Sequence, residues 1–194
     1  MMNRNLAGLV LGLSGCLALP SMANAQWSGT WKANSTYLSR LTTSSNWKLV
    51  PNATDRWYYK GGSSRPSPNA EKFLYAGTSR YRVEKDGVYP YQCVDFVKDL
   101  AKNVPTSRWG KGTSLVYQNK IRTGIPAGTV FASFTNGAYD HRHTFIFLAR
   151  LSATQILVAD QNWDYKEHIW KHKRIRVGGT NTSNAAIYYA VKDK

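Results

Sequence analysis

Tyr91-Gln92-Cys93-Val94-Asp95-Phe96-Val97-Lys98-Asp99-Leu100-Ala101-Lys102 is the stretch that decides how this chain is read. Tyr89-Pro90 ahead of it is a turn or extended entry, since proline fixes its own φ and restricts the residue before it. A helix is expected to begin at Gln92 or Cys93. Positions 93, 97, 100 and 101 share one apolar face at helical spacing, with 94 and 96 at its margins and Lys98 and Lys102 toward the other side. Pro105 marks the end. The helix thus starts on a cysteine, where unpaired backbone N–H groups and the positive dipole end favour a thiolate and offer donors to a tetrahedral oxyanion. The same position suits a small hydrophobe on a core face, and position alone does not separate the two.

Strands follow. Ile125-Pro126-Ala127-Gly128 is a turn into Thr129-Val130-Phe131-Ala132-Ser133-Phe134, and Thr135-Asn136-Gly137 is another turn. Thr144 to Leu148 and Thr154 to Ala159 are further apolar runs, Ile169 to Val177 a basic strand and Ala185 to Val191 a closing one. Their spacing predicts an antiparallel meander. One helix ahead of several strands reads as an α+β fold.

A cysteine nucleophile needs a base, and four histidines are available: His141, His143, His168 and His172. His143 stands at the mouth of the Thr144–Leu148 strand, which would fix its ring, whereas His141 sits further into the turn. A third group should orient the imidazole through its other nitrogen. The strand Ile156-Leu157-Val158-Ala159 delivers Asp160 and, two residues on and facing the same way, Asn162. A turn-capping Asp and Asn is the plainer alternative. Tyr91, Gln92, Trp109 and Trp163 are candidates to line a substrate cleft, although the aromatics among them suit a core equally well.

Composition sets the address. Arg4 supplies a positive n-region, Leu6 to Leu19 is apolar, and Ala23-Asn24-Ala25 offers the small residues of a cleavage site. Residues 1–25 are therefore expected to be a signal peptide and the protein to act in the periplasm or outside the cell. Leu13-Ser14-Gly15-Cys16 looks like a lipobox, but apolar Leu17-Ala18-Leu19 runs on past the cysteine and argues for free secretion. The mature chain, about 169 residues from Gln26, is within the span of one domain and has no transmembrane segment. Losing Arg4 and no acid lowers the net charge from +15 to +14. That balance attracts polyanions: nucleic acid, anionic lipid or the acidic polymers of a bacterial wall. With Cys16 removed or lipidated, Cys93 has no intrachain disulfide partner, so it is either an inert buried thiol or a reactive one. Residues 26–75 form an aromatic-rich N-terminal extension carrying Trp27, Trp31, Trp47 and Trp57. Packing onto the main domain explains those rings better than glycan stacking.

Tyr91-Gln92-Cys93-Val94-Asp95-Phe96-Val97-Lys98 resembles the nucleophile motif of CHAP-type amidases, relatives of the NlpC branch of papain-fold hydrolases. Gly128-Thr129-Val130 and His143-Thr144-Phe145-Ile146-Phe147 resemble the two strands that follow in that family. Asp160-Gln161-Asn162-Trp163 is similar to its acid-x-Asn-Trp segment. The four motifs cover roughly Val88 to Val177, within a domain set at residues 76–194; Gln26 to Tyr75 lies outside them. The resemblance implies a papain-like nucleophile helix packed on an antiparallel sheet, without cofactor or metal, cleaving amide bonds of peptidoglycan. It implies Cys93 as nucleophile, His143 as base, and Asp160 as orienting acid with Asn162 assisting. Arg142 stands where the family commonly has Gly, and Asp160 where it often has the longer Glu. Candidate partners beyond the peptidoglycan substrate are anionic wall polymers and an inhibitor or immunity protein.

Two other readings compete. A zinc peptidase would use His141-Arg142-His143, with His168 and His172 at i, i+4 spacing, but no histidine precedes His141 and Cys93 would have no role. Activity that is insensitive to chelators would dispose of it. A non-enzymatic polyanion binder, for wall polymer or nucleic acid, would account for the charge and aromatics but needs neither a free cysteine nor a histidine strand. Lys166, Lys171, Lys173, Arg174 and Arg176 are individually a solvated basic face. Nucleic acid is not the expected partner.

Overall fold

The computed structural model describes residues 26–50, 53–59, 92–102, 104–161 and 169–194. The signal segment 1–25, Tyr91, Asn162, Trp163, Lys166 and His168 lie outside the described residues. Among the described residues two α-helices accompany the strands: α1 (Ser35–Thr42) and α2 (Cys93–Leu100). The Asn34 side chain caps α1 by accepting from Thr36 N at 2.9 Å. Eight strands form one sheet: β1 (Trp47–Leu49), β2 (Arg56–Tyr59), β3 (Trp109–Ser114), β6 (Val130–Thr135), β7 (Ala138–Arg150), β8 (Ile156–Gln161), β9 (Ile169–His172) and β10 (Tyr188–Asp193). A separate hairpin joins β4 (Val116–Tyr117) to β5 (Lys120–Ile121). Its two-residue turn has positive φ at both Gln118 and Asn119, the geometry that matches strand twist.

The sheet order is β1-β2-β9-β8-β7-β6-β10-β3, with every neighbouring pair antiparallel. The meander read from the sequence is its centre, β6 to β9, and the architecture is α+β. Apolar side chains fill both faces. One core cluster joins Val94, Phe96, Val97 and Leu100 of α2 to Trp31, Trp47, Trp109, Val130, Ile146 and Ala159. The other holds Trp27, Phe131, Phe145, Phe147, Val158, Ile175 and Tyr188. Trp27, Trp31 and Trp47 are all buried, and β1 and β2 extend the sheet beyond β9, so the N-terminal aromatics serve as core.

Three local expectations differ from what is found. Lys98 is buried at 1% exposure rather than turned outward, because α2 is covered nearly all round, with Val94, Asp95, Phe96, Val97 and Leu100 also buried. Lys102 does reach solvent and pairs with Asp193 at 2.7 Å. The basic strand ends at His172 rather than running to Val177, with one last bond in the β2–β9 register, Lys173 N to Asp55 O at 2.9 Å, beyond it. Ala185–Ile187 is a 3-10 turn, capped by Asn184 accepting from Ala186 N, and the last strand starts only at Tyr188.

Candidate active site

Helix α2 begins at Cys93, with Gln92 as its half-buried N-cap. The Gln92 side chain makes no capping hydrogen bond, and the first intrahelical bond is Phe96 N to Gln92 O at 3.1 Å. Cys93 is a free, partly buried cysteine at the positive end of the helix. Its sulfur is near enough to two side chains of β7, His143 and Tyr139, to push the pKa of each upward. The helix supplies the sulfur and the sheet supplies the side chains beside it.

His143 is seated through its backbone. At the β6 bulge between Ala132 and Phe134, Ser133 Oγ lies 3.2 Å from both the N and the O of His143. That hydroxyl also bonds Asp140, which accepts from Thr135 Oγ1 at 2.9 Å and from Arg142 Nε at 2.7 Å. Arg142, at the position of the expected glycine, therefore closes the β6–β7 turn through Asp140. Burial pushes the Asp140 carboxyl up, but the hydrogen bonds from Arg142, Ser133 and Thr135 outweigh it and bring the pKa to about 2.

The ring of His143 is fixed at its far side. Its Nε2 is 2.7 Å from Asp160 Oδ2, both groups being buried. With Nε2 committed to Asp160, Nδ1 is the ring nitrogen left for Cys93. Burial works against the imidazolium; the charge on the Cys93 sulfur, the Asp160 carboxylate and hydrogen bonds to both outweigh it and raise the His143 pKa to about 10. Burial likewise opposes the Asp160 carboxylate, but His172 and His143 together hold its pKa below the usual range. His172 Nε2 lies 2.7 Å from the same Oδ2. Tyr139 is held protonated, chiefly by burial and then by the negative charge and hydrogen bond of Cys93. Tyr188 packs edge-on against His143 with ring centroids 6.5 Å apart, its hydroxyl donating to Thr182 O at 2.6 Å.

Cys93, His143 and Asp160 are therefore brought together, with Gln92 beside them. Trp109 is not part of a cleft: it is fully buried, against Trp31 at 5.5 Å and Tyr139 at 5.0 Å, and offers no surface to a ligand. It is a core residue one layer beneath Cys93. His141 and His143 diverge, for His141 is exposed in the left-handed region at φ 61 while His143 is buried on Asp160. Among the described residues, no group of three or more His, Cys, Asp or Glu side chains could hold a metal ion. No helix among them is long and apolar enough to cross a membrane.

Sequence reasoning missed Tyr139 and His172. The period-2 alternation of β7 and β9 was the available signal. Val158 pairs with His172, and Val158 and Asp160 share a face, so register alone puts His172 diagonal to Asp160.

The structure of type 6 secretion amidase effector 2 (Tae2) is similar at 27% identity, over 55% of this chain and 85% of that one, with a TM-score of 0.44. No curated protein matches the chain. Residues 63–191, which include Cys93, His143, Asp160 and His172, match the model of Dae2, domesticated amidase effector 2, and the chain belongs to that family.

Proposed function

We propose that this protein is a cysteine amidase that hydrolyses amide bonds of peptidoglycan through a thioester. The observation that carries the reading is the relay Cys93–His143–Asp160, in a member of an amidase effector family. His143 Nδ1 holds the proton that Cys93 has given up, and the thiolate sulfur attacks the amide carbon. The oxyanion is held by backbone N–H groups of the first turn of α2. His143 then gives its proton to the departing amine, leaving the acyl group on sulfur. Water, deprotonated by His143, attacks the thioester and releases the acid and the thiol. Asp160 accepts the Nε2 proton of His143, stabilises the imidazolium, and holds the ring in place when Nδ1 gives up its proton.

The papain-like character of the fold, related to CHAP and NlpC hydrolases, belongs to the same proposal. So do an assisting role for Asn162, substrate contacts from Tyr91, Gln92 and Trp163, and export after Ala25. A charge of +14 after that cleavage suits a target rich in acidic stem peptides and wall polymers. An enzyme of this kind needs restraint where its own wall is exposed, hence an inhibitor or immunity protein as partner. The test is digestion of purified sacculi, with mass spectrometry of the fragments to identify the bond. Cys93→Ala and thiol alkylation should abolish solubilisation, while chelators should leave it unchanged. Digestion at full rate by the alanine variant rules the mechanism out.

A further inference from the structure

His172 belongs to none of the steps above, yet it is built into the site. It is buried at 1% exposure, and its Nε2 is 2.7 Å from Asp160 Oδ2, the same oxygen that holds His143. Its other nitrogen settles its protonation. Arg174 N donates to His172 Nδ1 at 3.2 Å, so Nδ1 is an acceptor and carries no proton. The single ring proton then sits on Nε2 and points at the carboxylate, making His172 a neutral donor. Asp160 Oδ1 is buried and has no hydrogen-bond partner among the described residues. Every described hydrogen bond to this carboxylate therefore falls on Oδ2, one from each imidazole.

We infer that His172 is a positioning residue for the amide hydrolysis: a tautomer-locked neutral imidazole on β9 that anchors Asp160 and keeps it ionised, so that Asp160 can orient and charge-stabilise His143. The inference rests on the cysteine mechanism proposed above. Because His172 is neutral, it adds a hydrogen bond without cancelling the carboxylate's charge, which stays available to His143. A lysine or protonated histidine in its place would pair off that charge. A bare apolar neighbour would leave a buried carboxylate with one described donor and a raised pKa. The ionisable groups facing Asp160 are His143 from β7, His172 from β9 and Tyr188 from β10, and Cys93 from α2 faces it through His143. Tyr188 is held protonated by burial and by Asp160, so it does not titrate with the relay. His143 holds its proton up to about pH 10. Loss of activity in acid then means protonation of Asp160 or of the attacking sulfur, and of the two only Asp160 is bonded to His172.

The test is the pH dependence of kcat and KM on a soluble muropeptide for wild type, His172→Leu, His172→Gln and His172→Asn. The Gln amide reaches the place of Nε2 and can donate to Asp160, whereas the Asn amide reaches only that of Nδ1. Leu and Asn should lower kcat by about 10- to 30-fold, the size of one lost hydrogen bond to a charged group, with KM within about twofold of wild type. Their acidic limb should move up by roughly one pH unit as Asp160 becomes easier to protonate. Gln should restore both. If the Leu variant does not fold, by near-UV circular dichroism, the Gln and Asn pair carries the comparison alone. An acidic limb at the wild-type pH in the Asn variant, or equal losses in Gln and Asn, overturns the role. Cys93→Ala is run alongside. If it hydrolyses the muropeptide, the cysteine mechanism itself fails; if it is inactive while the His172 variants keep the wild-type profile, only this inference does.

Discussion

Replacing Asp160 with Asn probes how much of the relay is charge and how much is shape. The two imidazole donors both face Oδ2, so the Asn carbonyl must take that position and its NH2 must take the place of Oδ1. No described residue accepts a bond there, so the variant buries an unsatisfied donor and should lose about 1–3 kcal/mol of stability. The rate effect comes from the other oxygen. A hydrogen bond to a charged group contributes about 1.5–3 kcal/mol and one to a neutral amide roughly 1, so the His143 imidazolium loses about 0.5–2 kcal/mol of support. At about 1.36 kcal/mol per decade, that is roughly a 2- to 30-fold fall in kcat. The sign of the pH effect follows from the same bond. Asp160 raises the His143 pKa toward its value of about 10, so removing its charge lowers it, and the basic limb of kcat/KM should move to lower pH by about one unit. Muropeptide hydrolysis across pH 5–10 and urea denaturation at pH 7 measure the two effects separately. A folded Asp160→Asn enzyme whose basic limb stays where the wild type has it would refute the assignment of Asp160 as the partner that charges His143.

Trp109→Ala should cost about 3–5 kcal/mol by urea denaturation, the range for deleting a fully buried aromatic. Activity measured well below the melting point should fall too, because Tyr139, which touches Cys93, rests on that ring. Asp140→Asn tests the turn that seats His143. The folded pKa of Asp140 is lowered to about 2 from an ordinary 3.8, so its contribution is complete above about pH 4 and is lost as pH falls through 2. The variant should be less stable than wild type at pH 7, and the difference should shrink between pH 4 and pH 2, as followed by urea midpoints.

The residues that sequence reasoning could bring to one site are those whose places follow from the chain's own local pattern. Cys93 is one, because a helix start is visible as an apolar stripe that begins after Tyr89-Pro90. His143 is another, because it heads an apolar strand, and Asp160 ends the next one. Each of these needs only its own segment. His172 needs two segments at once, since its meaning lies in the Val158–His172 register, and a basic run hides a buried histidine well. Tyr139 was obscured by the bulge at Ala132–Phe134, which changes the alternation of the β6–β7 pair just where the turn begins. Lys98 was read outward because an amphipathic helix on a sheet has a wet side, and here the wet side is also covered. Trp109 was a balanced choice between cleft and core on composition, and only packing could decide it.

The charge arrangement explains why this site can sit inside the protein. Transfer of the thiol proton to His143 converts a neutral pair into a thiolate and an imidazolium, so it creates no net charge within the cluster. What differs between the two forms is their interaction with Asp160, which favours the imidazolium at 2.7 Å and disfavours the more distant thiolate less. The carboxylate therefore tilts the proton toward His143 without itself being protonated. A buried carboxylate can do this only if something other than water keeps it ionised, and the described residues offer two imidazole donors on one oxygen. A single histidine would have to serve as both solvating donor and mobile base, weakening its hold on Asp160 whenever its ring moved with the proton. Dividing the tasks, with His172 locked by the Arg174 backbone and His143 left to exchange protons with Cys93, removes that conflict.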